Sequence, residues 1–389
     1  MTLLAKTRPA HSIQERFLIS GHTVHPVRWA TILLVAVPLL LMLLAGMAAL
    51  VDYTEESRNL VRWVRLALIA EGLALVVLAG VGAVYQATFS ARDQRLYLPP
   101  GKLVNIGGYR LHLYCLGQRK PTVVLESGLG GSWLDWHSVQ SQIATFSQVC
   151  AYDRAGYGVS EPSPLPRTSI NSARELHALL HNAGLEPPYV LVGHSMGGYT
   201  VRMFTSLYPQ EVAAIVLVDS SHPDVHDHSW EERLWIKFLR WTAPFGLPRW
   251  RHWCGGGPQK IQAMKSAIEC RTEFYKTYDA ELGSYQESSQ QVRQAAPMNE
   301  IPLIVISRDP NQNRNNGNRD RWRNWLERQQ ELSRLSAHGK LVVAAGSSHA
   351  VMRDRPDVVI DAVQEIVQAV RLQFQSGRAE VEPTNKTVH

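Results

Sequence analysis

Apolar residues follow three patterns along this chain, and each pattern predicts a different element. The first is continuous. Ala30 to Val51 carries no charge, and Leu66 to Tyr85 carries only Glu71. At about 1.5 Å per residue the first stretch reaches roughly 33 Å, enough to cross a hydrocarbon layer. A cleaved secretory signal would have a shorter apolar stretch and a shorter arm before it than residues 1–29. Residues 30–85 are therefore expected to form two transmembrane helices joined by a short loop, which puts the arm and the large domain on one side of a bilayer. Glu71 is expected near the membrane boundary, since a carboxylate deeper in a span is costly unless it pairs with the other helix.

The second pattern is short β-type runs: Leu103–Ile106, Arg110–Cys115, Thr122–Glu126, Gln148–Tyr152, Tyr189–Val192, Ala214–Val218, Leu303–Ile306 and Lys340–Ala344. The first two flank Gly107-Gly108, a hairpin turn. The later ones are apolar throughout, as expected of parallel strands buried on both faces. The third pattern is helical spacing, in Ser169–Ala183 and in Asp354–Arg371, where Pro356 falls early and its missing N–H costs little. Strands alternating with helices predict an α/β fold with a mostly parallel sheet.

Between Val218 and Ile301 no strand pattern occurs, yet the segment holds Trp230, Trp235, Trp241, Trp250, Trp253, Phe238 and Phe245. It is too long for a loop and predicts a helical cap. The expected organisation is an arm (1–29), two spans (30–85), a polar linker (86–101), a core (102–219 and 301–375), a cap (220–300) and a flexible tail (376–389).

Composition narrows the function classes. The 389 residues leave room for one α/β domain, commonly about 200–250 residues, plus extra segments. The formal charge of +6 is scattered, with no run of five basic residues. That argues against nucleic acid and suits anionic lipid headgroups. None of the four cysteines forms a C-x-x-C pair, which argues against a zinc ribbon. Basic residues Lys6, Arg8, Arg16 and Arg28 in the arm, and Arg92, Arg95 and Lys102 after the second span, favour a cytoplasmic domain.

The candidate chemistry centres on Val190-Leu191-Val192-Gly193-His194-Ser195-Met196-Gly197-Gly198. An apolar strand runs into Gly-x-Ser-x-Gly, whose glycines permit a sharp strand-to-helix turn with the serine hydroxyl raised above the sheet edge. Gly346-Ser347-Ser348-His349 follows the last strand and offers a base of near-neutral pKa. Together with Glu126-Ser127-Gly128-Leu129-Gly130-Gly131 and Asp153-Arg154-Ala155-Gly156-Tyr157-Gly158-Val159-Ser160, these motifs make residues 103–372 resemble the α/β-hydrolase superfamily.

The resemblance implies an eight-stranded sheet, no cofactor, and a triad of Ser195 as nucleophile, His349 as base and an acid. Asp309 follows the strand where the family most often keeps the acid, although Ser307-Arg308-Asp309-Pro310 departs from the usual spacing. Asp219, at the end of the preceding strand, is the alternative. The resemblance also implies an oxyanion hole from the backbone N–H groups of Leu129 and Met196. Serine stands here where relatives carry histidine, which leaves a main-chain donor intact. Asp153 and Arg154 are expected to shape the loop beside the nucleophile. In such a fold Cys115 and Cys150 lie on neighbouring strands and can bridge, and Cys254 with Cys270 can staple the cap. Such pairing favours an exported domain, against the basic-residue argument.

The expected reaction is hydrolysis of a small-molecule ester, with the spans favouring a lipid-like one and with amidase, peptidase, thioesterase and lipase activity open. A catalytically idle binding module is the contrasting class. His222, His226 and His228 with Asp224 and Asp227 read as a polar entrance to the cap rather than a metal site. Arg319 to Trp325 reads as an amphipathic surface helix and Asn311–Asn318 as a mobile loop.

Overall fold

The computed structural model describes residues 55–225, 228–255, 259–311 and 319–381. The expected first span and the arm lie outside them. Helix α1 covers Glu55–Leu96. Among the described residues it is the one helix long and apolar enough to cross a membrane, with mean hydropathy 2.3 and none of its apolar stretch buried. A two-helix hairpin is thus not described. The polar linker expected from residue 86 is corrected: α1 continues through Leu96. Its polar end is fastened to the cap, with Gln86 Nε2 donating to the Cys270 carbonyl (2.8 Å) and Arg249 Nη1 pairing with Asp93 (2.6 Å).

Eight strands follow: β1 Lys102–Asn105, β2 Arg110–Leu116, β3 Thr122–Glu126, β4 Val149–Tyr152, β5 Tyr189–His194, β6 Val212–Val218, β7 Leu303–Arg308 and β8 Gly339–Ala344. Their spatial order is β1-β2-β4-β3-β5-β6-β7-β8. β1 pairs antiparallel with β2 and β2 with β4, and every later pairing is parallel. The β1–β2 turn forms because Asn105 Oδ1 accepts from the N–H groups of Gly107 and Gly108, both at positive φ.

Side chains alternate across the parallel strands. Leu191, Ile215 and Val305 face α3 (Ser169–Asn182) and α4 (Gly197–Leu207), while Val190, Val216 and Ile304 face α12 (Pro356–Val381). α2 (His137–Ile143) adds Val139 and Ile143 to the second layer. Each fully buried Val, Leu or Ile side chain contributes roughly 1.5–3 kcal/mol. This two-sided burial holds the carboxyl ends of β3, β5, β6 and β7 in fixed relation.

Helices α5 (Trp230–Thr242), α6 (Leu247–Trp250), α7 (Gln259–Glu269), α8 (Thr272–Gly283) and α9 (Tyr285–Arg293) lie between β6 and β7. The Ser229 hydroxyl caps α5 by accepting from Glu232 N, and Glu231 and Glu232 complement its N-terminal dipole. Disulfides join Cys115 to Cys150, directly across the β2–β4 ladder, and Cys254 to Cys270. The chain closes with α10 (Arg319–Ser333), α11 (Val351–Asp354) and α12.

Candidate active site

The site is built where β5 and β6 end. The ladder pairs His194 with Val218, so Ser195 and Asp219 are the next residues out on adjacent strands. Both are non-glycine residues at positive φ, 51° and 43°. Such a conformation is strained for a side chain with a Cβ and persists only where its surroundings impose it. Ser195 N donates to Val218 O (3.1 Å) and Ser221 N to Ser195 O (3.0 Å), which lock the two strand ends together. The glycines around Ser195 are required by contact: a Cβ at Gly193 would run into Gly197 and Gly198, and one at Gly197 into the carbonyls of Glu126 and Ser127.

His349 Nδ1 lies 2.5 Å from Asp219 Oδ2. Only one of the two candidate acids therefore meets the base, and the first choice, Asp309, is corrected on geometry. β7 runs through Arg308, because Arg308 still pairs with Ala344 on β8. Asp309 is thereby carried past the strand end and turns onto loop backbone. It accepts from Asn311 N (2.7 Å) and Gly346 N (2.8 Å), so it braces the loop that holds His349.

Asp219 is fully buried, receives three hydrogen bonds and forms an ion pair. Besides His349, the donors are Arg308 N (3.1 Å) and Trp325 Nε1 (2.7 Å), and the Arg308 guanidinium pairs with the carboxylate, Nε at 2.8 Å. Burial works to raise its carboxyl, but Arg308 and the His349 bond outweigh burial and hold it down to about 2. The Arg308 guanidinium also lies over the Trp325 ring, 4.1 Å from its centroid. The sequence pattern predicts Trp325 on a surface helix; α10 instead presents it, 6% exposed, to Asp219. The interleaved arginine and tryptophan pattern carries no sign of that orientation.

His194 is a second residue that the motif alone leaves without a task. Its Nε2 lies 2.9 Å from the His349 carbonyl, which can only accept, so Nε2 carries the proton. Burial, with His349 close by, pushes His194 down to about 3 and keeps it neutral. It therefore fixes the backbone of the base while Asp219 fixes the ring. No hydrogen bond joins Ser195 Oγ to His349 in this structure; such bonds are commonly loose without substrate and tighten on binding.

The loop after β3 lies against Ser195, since a Cβ at Gly128 would stand 3.0 Å from the Ser195 Cβ. Arg154 grips this loop from below. Its guanidinium donates to the carbonyls of Ser127 (2.5 Å) and Gly128 (2.7 Å) and pairs with Glu126 and with Glu281 of α8. Turning those carbonyls inward turns the following N–H groups toward the site. Neither Leu129 N nor Met196 N is taken by another acceptor among the described residues. Asp153, also buried, accepts from His112 Nδ1, Trp133 N and Val159 N, and so anchors the neighbouring turn.

A cavity of about 80 Å³ adjoins His349 and Leu129. Its wall includes Asp135, Lys265, Glu269, Phe274 and Tyr278. Lys265 Nζ lies 3.1 Å from Asp135 and 3.4 Å from Glu269. Burial disfavours its charge, but the two carboxylates prevail and raise it. Of the residues read as a polar cap entrance, His226 and Asp227 lie outside the described ones. His222, Asp224 and Glu331 come together, yet Arg293 holds Asp224 (2.7 Å) and Arg328 holds Glu331 (2.6 Å). His228 pairs with Glu232 (3.0 Å).

Comparison with known proteins agrees with this architecture. Over 229 residues the chain is 27% identical to the uncharacterized protein YbdG of Bacillus subtilis, covering 55% of this chain and 70% of that protein. A thermophilic esterase from Thermogutta terrifontis superposes with a TM-score of 0.53 at 20% identity, over 70% of this chain and 99% of the esterase. The epoxide hydrolase CorEH superposes with a TM-score of 0.51 at 17% identity, over 69% and 98%. Both structural likenesses concern the fold. The model of the alpha/beta hydrolase family matches residues 123–362, from β3 into α12 and across every side chain of the site, and the chain belongs to that family.

Proposed function

We propose that this protein is a membrane-anchored serine hydrolase that cleaves small carboxylic esters through a Ser195 acyl-enzyme. His349 Nε2 takes the Ser195 proton as Oγ attacks the ester carbonyl. The N–H groups of Leu129 and Met196 receive the oxyanion, and His349 passes the proton to the departing alcohol. Water, deprotonated by the same imidazole, then attacks the acyl-enzyme and releases the acid. Asp219 keeps the His349 proton on Nδ1 and offsets the positive charge the ring acquires.

One observation carries this reading: the 2.5 Å contact between a buried Asp219 and His349, one residue beyond the strand pair that holds a strained Ser195. A serine nucleophile disfavours epoxide opening and dehalogenation, which rely on aspartate in this superfamily. The cavity argues for a short acyl or alcohol part. At about 80 Å³ it is far below the roughly 300 Å³ where drug-sized ligand pockets begin. Its Asp135, Lys265 and Glu269 suit a polar group better than a lipid tail. Anchoring rests on α1, whose apolar side chains from Leu66 to Val84 stand largely uncovered by protein. The two disulfides favour an oxidising compartment for the domain.

A fluorophosphonate probe tests the reading. It should label the wild type and Asp309→Asn but not Ser195→Ala. Absence of labelling in folded wild type would leave a binding module. Short and long p-nitrophenyl esters then test the size limit, with hydrolysis expected to fall as the acyl chain lengthens.

A further inference from the structure

Helix α5 has two faces. Ile236 and Leu239 are buried against the protein. The opposite stripe, Trp230, Leu234, Lys237 and Trp241, recurs at helical spacing, and Trp230, Leu234 and Trp241 are 65%, 56% and 76% exposed. The turn that follows adds exposed Phe245 and Trp250. Basic residues sit among them: Lys237 on α5, and Arg251, whose guanidinium lies 5.7 Å from the Trp250 ring centroid, while Arg240 is paired with Asp279 of α8 (2.5 Å). A helix with tryptophan and leucine outward and lysine and arginine alongside suits a membrane surface, with its aromatic rings at headgroup depth.

The fold fixes where the turn after α5 stands relative to α1. A Cβ at Gly82 would run into the Phe245 carbonyl, and one at Gly246 into the Tyr85 ring. The cap turn and α1 therefore touch closely, backbone to backbone at Gly82 and through the ring of Tyr85. The apolar run of α1 from Leu66 to Tyr85 is about 29 Å long, close to the thickness of a hydrocarbon core. The cap turn thus meets α1 where that run ends. Trp63, 70% exposed, stands at the other end beside Arg62 and Arg65. Aromatic and basic residues bracket the apolar stretch on both sides, from α1 itself at one end and from the cap at the other.

We propose that α5 and the Ala243–Trp250 segment rest in the headgroup layer of a phospholipid bilayer that α1 enters. Trp230, Leu234, Trp241, Phe245 and Trp250 lie at the acyl boundary, and Lys237 and Arg251 lie among the phosphates. This goes beyond the anchoring of α1 and rests on it. It makes the cap a membrane-seated element. The wall of the cavity follows, because α7 carries Lys265 and Glu269 and is tied to α1 through the bond from Gln86 to Cys270.

The test uses the full chain in phosphatidylcholine–phosphatidylglycerol nanodiscs in a background of Trp29→Phe and Trp63→Phe, with tryptophan emission read against brominated lipids. Lipids brominated near the glycerol should quench more than lipids brominated at the chain end. Trp230→Phe, Trp241→Phe and Trp250→Phe together should remove most of that difference while the melting temperature is kept. Unchanged quenching in the triple variant, with the protein still in the disc, would overturn this inference alone. A chain that does not enter the discs would overturn the anchoring of α1 as well. A detergent-solubilised dimer that shields the same tryptophans, with no lipid quenching, would assign the face to a second copy and also overturn it.

Discussion

The carboxyl edge of the sheet and the outer face of the cap treat their side chains in opposite ways. At the edge, Asp219 is fully buried and held by three hydrogen bonds and an ion pair from three residues. On the outer cap, Trp241 and Trp250 stand 76% and 64% exposed. The difference separates two tasks. Proton transfer requires atoms held within a fraction of an ångström, and a closed network of buried hydrogen bonds supplies that. A face meant for a fluid neighbour requires only the right chemistry in the right plane. The inner face of the cap belongs with the edge, since Glu281 binds Arg154, and Arg154 holds the loop above Ser195.

Ser195→Ala breaks the edge most severely. Ester turnover should fall about 10⁶-fold while the fold is kept. Turnover that survived the change would place the nucleophile elsewhere. Asp219→Asn comes next, with kcat reduced about 10⁴-fold through loss of the His349 tautomer. Asp309→Asn, which only loosens the loop, should cost less than about tenfold by the loss of one or two hydrogen bonds. Steady-state kinetics on one ester compares the two, and the reverse order would return the acid's role to Asp309.

Glu281→Gln sharpens the contrast between the two faces of the cap. It leaves the buried Arg154 short of a counter-charge and should lower stability by about 3–5 kcal/mol in denaturant titrations. A cost no larger than that of an exposed substitution would show that the inner face is not tied to the core.

A smaller effect follows from pH. The Asp219 carboxyl stands at about 2 when folded, below its ordinary value. Its contribution is therefore complete above about pH 4 and is lost as pH falls toward 2, by about 2 kcal/mol. Unfolding free energies measured across that window should fall more steeply for wild type than for Asp219→Asn; parallel slopes would contradict the assigned pairing. The smallest effect belongs to the outer cap. Trp241→Ala and Trp250→Ala should each change stability by no more than about 0.5 kcal/mol, as is usual for exposed positions. A large drop in melting temperature in detergent would show that they pack against protein.

The strands and the elbow at Ser195 could be read from the chain because both are local. A run such as Val190–Val192 must be buried on both faces, and the glycines around Ser195 are needed where backbones crowd. The identity of the acid could not be read this way. Asp219 and Asp309 both follow apolar strands, and they differ only in how far the β7–β8 ladder extends. Trp325 was hidden for a related reason: helical spacing identifies a face of α10 but not the residue it meets. The linker expected from residue 86 proved helical because its anchors, Arg249 and Cys270, lie far along the chain in the cap.

The sequence by itself determined the α/β class, the elbow carrying Ser195, the loop carrying His349 and the apolar run of α1, since each depends on neighbours a few residues apart. Tertiary structure alone decided that Asp219 faces His349, that Arg154 joins the cap to the loop after β3, and that the cap meets α1 where its apolar run ends. Those contacts join residues more than a hundred positions apart or elements that are remote in the chain, and their partners are chosen by strand register and packing.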